Sequence, residues 1–222
     1  MKAISLTVKT NEMFSFFPML QHGVMLKTRV GCSVKTLLCE NCGVSPAYVE
    51  DRIKTIFLDG QPVDDIDTAI LRDGSSLALS AAMPGLVGST FRRGSHLAAF
   101  RSTITHQKAD TPAQVQDGLI TLKLFNLLLR ELGPGFLERG VWIGKDTLED
   151  FLKTQPAEFL QQCRMVSADV RETMPDDPAN IHFSDAEPLV LLSAILLAPE
   201  KQANAAARTE SLTVLKSVPG DY

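Results

Sequence analysis

Two short segments near the N-terminus alternate apolar and polar residues. Ile4, Leu6 and Val8 alternate with polar neighbours, and the segment VMLKTRV (24–30) repeats the same period of two. That period places the apolar side chains of a β-strand on one face. Both segments are therefore predicted to be half-buried strands.

The period then changes to that of a helix. Ser33 is placed to cap the start of this helix, and Gly43 is placed to end it in a left-handed conformation. Ser45 and Pro46 suit the start of a second, shorter helix. Four apolar positions of the first helix share one face: Val34, Leu37, Leu38 and Cys42.

Strand patterns return after residue 54. TIFLDG (55–60) closes with an Asp-Gly turn, and a second Asp-Gly pair at 73–74 introduces SSLALSA (75–81). Between them, QPVDDIDTAI (61–70) is predicted as a turn-rich crossing segment. The first ninety residues thus read as strand, strand, helix, strand, crossing segment and strand.

This element order, together with residues 57–88 (FLDGQPVDDIDTAILRDGSSLALSAAMPGLVG), resembles a β-grasp sulfur carrier. The similar proteins are the ubiquitin-like carriers of the molybdopterin-synthase small-subunit and thiamine sulfur-carrier type. The resemblance implies an N-terminal β-grasp, a mixed sheet wrapped around one helix. It covers no residue beyond 88. The predicted fold class is α+β, with this β-grasp followed by a mainly helical α+β region.

The strip AMPGLVG (82–88) departs from a carrier tail. In the resembled family the tail ends in Gly-Gly with a terminal carboxylate that accepts sulfur. Here Val87 stands at the penultimate position, and Gly88 is followed by the remainder of the chain. The sequence favours a strip that turns the chain out of the sheet, with processing after Gly88 as the alternative.

The motif CENCG (39–43) contains a Cys-x-x-Cys pair. A structural zinc site usually has two such pairs, and the sequence has one, so no metal and no cofactor is predicted. Cys39 and Cys42 are interpreted as buried structural thiols on the helix. A zinc site using Cys32 and His22, or a redox thiol relay between Cys39 and Cys42, remains an alternative.

Residues 88–108 carry a local positive charge in an acidic protein. The candidate anion-binding residues are Arg92, Arg93, His96 and Arg101, and no acidic residue lies among them. The stretch is suited to bind phosphates or a nucleic-acid backbone. It is equally suited to contact the acidic segment DDIDTA (64–69) of its own protein or a protein partner, and we favour this second reading.

The C-terminal region gives weaker patterns. LITLKLFNLLLREL (119–132) fits a strand or a helix, and GPG (133–135) predicts a stop. GVWIG (140–144) predicts a short strand, after which Asp146 and Glu149 form a possible capping box for a helix. Pro156 predicts a further helix through Cys163. The apolar run EPLVLLSAILLA (187–198) predicts a buried helix entered at Pro188.

Composition limits the function classes. The chain has 222 residues and a net charge of −4, no run long enough to span a membrane and no secretory signal pattern. We expect a cytoplasmic protein with three parts: a β-grasp-like domain (1–88), a basic connector (89–118) and a helical α+β domain (119–222).

Familiar catalytic motifs are missing from the sequence, so it does not predict an enzyme. The favoured function is a non-catalytic protein-interaction module that binds a protein partner or a second copy of itself. A participant in sulfur transfer is the alternative. Binding of phosphate or nucleic acid through the connector is a weaker alternative, and no membrane partner is expected.

Overall fold

One mixed β-sheet organises the protein. The computed structural model describes residues 2–10, 12–107, 114–160, 163–167, 171–173 and 188–196. Its strands are β1 (Lys2–Val8), β2 (Val24–Val30), β3 (Thr55–Leu58), β4 (Gln61–Pro62), β5 (Ser76–Ser80), β6 (Gln116–Phe125), β7 (Val141–Gly144), β8 (Cys163–Ser167), β9 (Arg171–Thr173) and β10 (Leu189–Leu196). They lie in the order β4-β3-β5-β6-β2-β7-β10-β1-β8-β9. The expected α+β class is confirmed, but the region after residue 119 is not mainly helical in its described residues, because most of β6 and all of β7, β8, β9 and β10 lie there.

Short helices connect these strands. They are α1 (Phe17–His22), α2 (Val34–Thr36), α3 (Pro46–Arg52), α4 (Gly85–Phe91), α5 (Leu127–Arg139), α6 (Lys145–Lys153) and α7 (Ala157–Leu160). Two 3-10 helices cover Glu12–Phe16 and Ala98–Arg101, and α2 continues as a π-helical turn, Leu37–Asn41. Within the described ranges, no helix has the length and apolar character needed to cross a membrane.

A single apolar core lies on one face of the sheet. Because paired residues in neighbouring strands point to the same side, the registers align the buried positions of all the central strands. These positions are Ile4, Leu6, Val24, Leu26, Ile56, Leu58, Leu77, Leu79, Ile120, Leu122, Leu124, Val141, Ile143, Val190 and Leu192. Buried helix residues such as Leu37, Val49 and Leu137 belong to the same cluster.

The first two strands do not pair with each other. β1 pairs in parallel with β10 and antiparallel with β8, whereas β2 pairs antiparallel with β6 and, at one position, with β7. A separate N-terminal β-grasp sheet, which the resemblance implies for residues 1–88, is therefore not seen in the described residues. The boundaries at 88 and 118 stay predictions, but the sheet runs across both of them.

The helix after β2 forms, but it ends at Asn41, so Cys42 caps it and is half-buried instead of lying on its buried face. The Ser33 side chain accepts a hydrogen bond from the Thr36 backbone N–H at 3.1 Å, and the Ser45 hydroxyl accepts one from Tyr48 N–H at 3.2 Å. Gly43 has a φ of +64°, the left-handed value predicted for the end of the helix. Val34, Leu37 and Leu38 are buried.

The segment 119–132 is both a strand and a helix. β6 runs to Phe125, Asn126 takes a φ of +56°, and α5 starts at Leu127. The predicted stop at 133–135 is wrong, because α5 continues through Gly133, Pro134 and Gly135 to Arg139. A Cβ at Gly133 would lie 2.9 Å from Leu20 Cδ1, so close packing on α1 holds the helix together here.

Three further expectations are corrected. The run 187–198 contains a strand, β10, whose residues alternate between buried and half-buried up to Ala194. A continuous apolar run fits a buried helix as well as a central strand, and pairing with β7 and β1 selects the strand. α6 begins at Lys145 without a side-chain cap, so the capping box expected from Asp146 and Glu149 is absent. α7 ends at Leu160 and Cys163 starts β8, so the helix predicted from Pro156 does not run through Cys163.

The close approach of the chain around β2 and β6 leaves no room for a side chain at Gly31. Gly31 has a φ of +82°, and a Cβ there would lie 2.2 Å from the Gln114 carbonyl oxygen. Gly74 has a similar φ of +80° with no atom near its Cβ position. We expect Gly31→Ala to lower the free energy of unfolding by about 3 kcal/mol and Gly74→Ala by about 1 kcal/mol. Urea denaturation measures both, and equal losses would contradict the predicted clash.

Candidate functional site

The connector folds back onto the edge of the sheet. After β5, Pro84 precedes α4, whose Phe91 ring packs on Phe57 of β3 at 5.3 Å between centroids. The Arg93 backbone N–H donates to the Lys54 carbonyl oxygen at 2.8 Å, and the His106 N–H donates to that of Pro62 at 2.8 Å. The described part of the connector is thus attached to β3 and β4 at several points.

A buried ion pair fixes the connector to the crossing segment. Arg101 is 2% exposed, and its Nη2 and Nη1 donate to Asp64 Oδ1 and Oδ2 at 2.6 and 3.0 Å. Its Nε donates to the Thr90 carbonyl oxygen at 2.7 Å, and Nη1 also donates to Thr105 Oγ1 at 2.8 Å. Asp64 is the first residue of DDIDTA. One predicted anion-binding residue therefore binds an anion of its own chain.

Arg93 is engaged in a second internal contact. Its Nη1 donates to the carbonyl oxygens of Ile53, at 3.1 Å, and Val49, at 3.5 Å, and its Nη2 lies 3.2 Å from Glu50 Oε2. The guanidinium thus lies at the C-terminal end of α3, where free carbonyl groups favour a cation. Arg92 and His96 are exposed and form no ion pair with a described residue.

A cleft of about 510 Å³ lies beside these anchors. Its charged side chains are mostly paired: Lys35 lies 2.9 Å from Asp67, and Asp65 accepts hydrogen bonds from Asp67 N–H and Thr68. In the part of the chain that the structure describes, no cluster of three metal-ligating side chains occurs. The lining residues are Lys35, Cys39, Pro46, Val49, Glu50, Asp64, Asp65, Ile66, Asp67 and Arg93.

Cys39 and Cys42 line different cavities. Cys39 lies at the cleft, whereas Cys42 lines a cavity of about 170 Å³ beside Arg139. Burial raises the pKa of Cys42 to about 11 and also raises the pKa of Cys39 and Cys32. All three are free thiols that are protonated at neutral pH, and thiols are poorer nucleophiles than thiolates. This geometry does not favour a thiol relay. The side chain of Cys163 lies outside the described residues.

Gly88 is buried in the middle of α4. A Cβ there would lie 2.1 Å from the Met83 carbonyl oxygen, so the contact between the helix and the end of the strand requires glycine. Within the strip 82–88, residues 85–88 therefore form the first turn of α4, and residues 82–84 connect it to β5.

Large apolar side chains cover the outside of α4 and the following 3-10 helix. Leu86, Val87, Phe100 and Ile104 are 74%, 67%, 82% and 50% exposed. We call these four residues the connector patch. No local pattern groups these four residues: Leu86 and Val87 lie in the glycine-containing strip 82–88, whereas Phe100 and Ile104 lie among the basic residues of 88–108.

A polar cluster that the sequence did not indicate joins α3 to α5. Tyr48 Oη donates to Glu131 Oε2 at 2.5 Å, and Arg52 forms two hydrogen bonds with the same carboxylate. These bonds from Arg52 and Tyr48 lower the pKa of Glu131. Burial and the Glu131 carboxylate raise the pKa of Tyr48. The partners lie about eighty residues apart in sequence, so no local pattern links them.

The Arg101 ion pair makes a stability prediction. Arg101→Met leaves the partly buried Asp64 without its partner, and we expect a loss of about 2 kcal/mol in the free energy of unfolding. Cleavage within the connector by a broad-specificity protease should also become faster. Arg92→Met removes an exposed cation that forms no ion pair with a described residue. The free energy of unfolding should then change by no more than about 0.5 kcal/mol. Equal losses in the two variants would argue against a specific anchor.

The Glu131 cluster makes a pH prediction. Because the folded-state pKa of Glu131 is lowered, its stabilising contribution is present above its ordinary value of 4.5 and is lost as the pH falls through the lowered value. Glu131→Gln should therefore destabilise the protein at pH 7, with a smaller deficit at acid pH. Glu138→Gln, which changes an exposed glutamate on the same helix, is the matched control and should leave the stability at pH 7 within about 0.5 kcal/mol of the parent protein. Thermal unfolding across the pH range measures both.

Comparison with known proteins assigns this chain to no family. No protein-family model, curated protein or solved structure matches the chain.

Proposed function

We propose that this protein is a non-catalytic protein-interaction module that docks a partner protein on the connector patch. The observation that carries the proposal is the exposure of Leu86, Val87 and Phe100, each at least two-thirds exposed, on a segment that is itself firmly attached. Single exposed apolar residues are ordinary on protein surfaces. Four within residues 86–104 are a concentration typical of interaction sites.

The anchors support a preformed docking surface. Arg101 and Arg93 hold the connector through side-chain contacts, and backbone hydrogen bonds attach it to β3 and β4. A surface that is already ordered loses less conformational entropy on binding than a free linker would. The connector therefore acts as part of the folded body and presents its apolar side chains outward.

Charge near the patch indicates the chemistry of the partner. Residues 81–107 contain no acidic side chain, and Arg92 and His96 are exposed beside the patch in sequence. A partner surface with apolar side chains and nearby carboxylates complements this arrangement. Phosphate or nucleic acid is less favoured, because two of the four predicted anion-binding cations are already used internally.

We also propose that the strands β4-β3-β5-β6-β2 form a β-grasp in which β6 takes the place of the first strand. β6 pairs in parallel with β5 and antiparallel with β2, and these strands pack against α2 and α3. In the fold that the sequence resembles, a strand near the N-terminus makes both pairings. On this proposal the β-grasp spans residues 24–125, although the sequence resemblance to sulfur carriers ends at Gly88, and β1 lies in the other half of the sheet.

Sulfur transfer is the competing function, and two observations oppose it. Gly88 is buried in a helix that continues to Phe91, so no carboxylate is available there in the intact chain. Burial raises the pKa values of Cys39 and Cys42, which disfavours their thiolates. The intact mass of the protein purified from its own cells separates the two functions. We expect the full-length mass, whereas a fragment ending at Gly88 or the added mass of one sulfur atom would overturn the proposal.

Photocrosslinking in those cells tests the docking surface directly. A photoreactive phenylalanine analogue at Phe100 should form a discrete adduct with one partner protein. The same analogue at Phe14, which is 47% exposed on another surface, should not. Leu86→Ser should weaken the adduct, and Leu127→Ser, an equally simple change of an exposed leucine elsewhere, should leave it unchanged. Equal labelling at Phe100 and Phe14, or no adduct at either, would contradict a docking role for the patch.

A further inference from the structure

The face of the sheet opposite the core carries a row of side chains that is apolar from Met25 to Ala3 and ends in the small polar residues Thr121 and Ser76. The registers place Thr121 beside Met25, Met25 beside Trp142, and Trp142 beside Leu191. Ser76 and Ala3 extend the row at either end. The row therefore crosses β5, β6, β2, β7, β10 and β1, and its centre lies at the seam where β2 meets β7.

These side chains do not belong to the core. Met25, Trp142 and Leu191 are half-buried, and none of them packs against the buried cluster. The described helices bury their apolar side chains on the other face, apart from α4, whose Phe91 rests on Phe57 near the β3 edge. An apolar sheet face is normally covered by a second layer. Over the Trp142 row, the described residues provide no such layer.

Cations flank this row on both sides. Lys27 and Arg29 follow Met25 along β2 with side chains on the same face, and Lys123 lies on that face beyond Thr121. None of the three forms an ion pair with a residue in the described ranges. Asp117, opposite Arg29, is the acidic residue that the registers of β2 and β6 place on this face. The open face is thus apolar in the middle and positive at its borders.

We propose that this face docks an amphipathic helix of a partner protein, with an apolar stripe along the Trp142 row and acidic residues on either side of the stripe. Six strands span about 24 Å, because neighbouring strands lie about 4.8 Å apart. A helix of about 16 residues covers that distance. A second copy of this chain is a poor occupant, since face-to-face packing would bring like charges together. This surface is separate from the connector patch, so the two proposals fail independently.

Trp142 is the single tryptophan of the chain and reports on the occupancy of this face. The probe is a synthetic helical peptide of about 16 residues with leucines at i, i+3, i+4 and i+7 and flanking glutamates. Titrated into the full-length protein, it should shift the Trp142 emission to shorter wavelength, and added salt should weaken binding. The matched peptide with lysines in place of the glutamates should cause no shift.

Variants of the protein locate the binding surface. Lys27→Glu combined with Lys123→Glu should weaken binding of the acidic peptide by at least about tenfold. Lys153→Glu reverses a lysine that pairs with Glu149 on the outside of α6, away from the row, and should leave the affinity unchanged, as should Leu86→Ser. Circular dichroism establishes that each variant is folded.

Several outcomes would overturn this proposal: equal shifts with both peptides, no shift with either, or unchanged affinity in the double variant. Tighter binding of a single-stranded oligonucleotide would assign the face to nucleic acid. A stable dimer in sedimentation velocity that dissociates in Trp142→Ser would assign it to a second copy of the chain.

Discussion

Burial of one face of a single sheet is the constraint on which the other features depend. Every central strand contributes its alternate apolar residues to the same side, where the helices cover them. A one-residue slip in any of these strands would move its whole apolar set to the opposite face, so the registers are strongly specified. The same alternation sends Met25, Trp142 and Leu191 to the opposite side, where the described residues place no second layer over them.

The strand pairings that build this sheet join distant parts of the chain. β2 pairs with β6 more than eighty residues later, and β1 pairs with β10 near the end of the described residues. Such contacts require closure of long loops, and they make the two halves of the sheet mutually dependent. The close contact of Gly31 with Gln114 and the Tyr48–Glu131 bond stabilise the same long-range association.

Charge is used differently on the two proposed docking surfaces. In the connector, Arg93 and Arg101 bind groups of their own chain and thereby hold the apolar patch in place. On the open face, Lys27, Arg29 and Lys123 form no such bonds within the described part of the chain and remain available to a partner. A basic stretch in sequence is consistent with either role, and only the position of the nearest carboxylate distinguishes them.

The sequence alone determined part of the local structure. Alternation identified β1 and β2, strand-forming residues beside Asp-Gly pairs identified β3 and β5, and Ser33, Gly43 and Ser45 identified helix ends, because these preferences depend on neighbours within a few positions. Only the tertiary structure decided which strands pair, that EPLVLLSAILLA contains a strand, and that α5 passes through Gly133 and Pro134. It also decided that Arg101 binds Asp64 and that Leu86 and Val87 face solvent. These outcomes depend on packing between residues far apart in sequence, and the local preferences of the chain do not encode those distances.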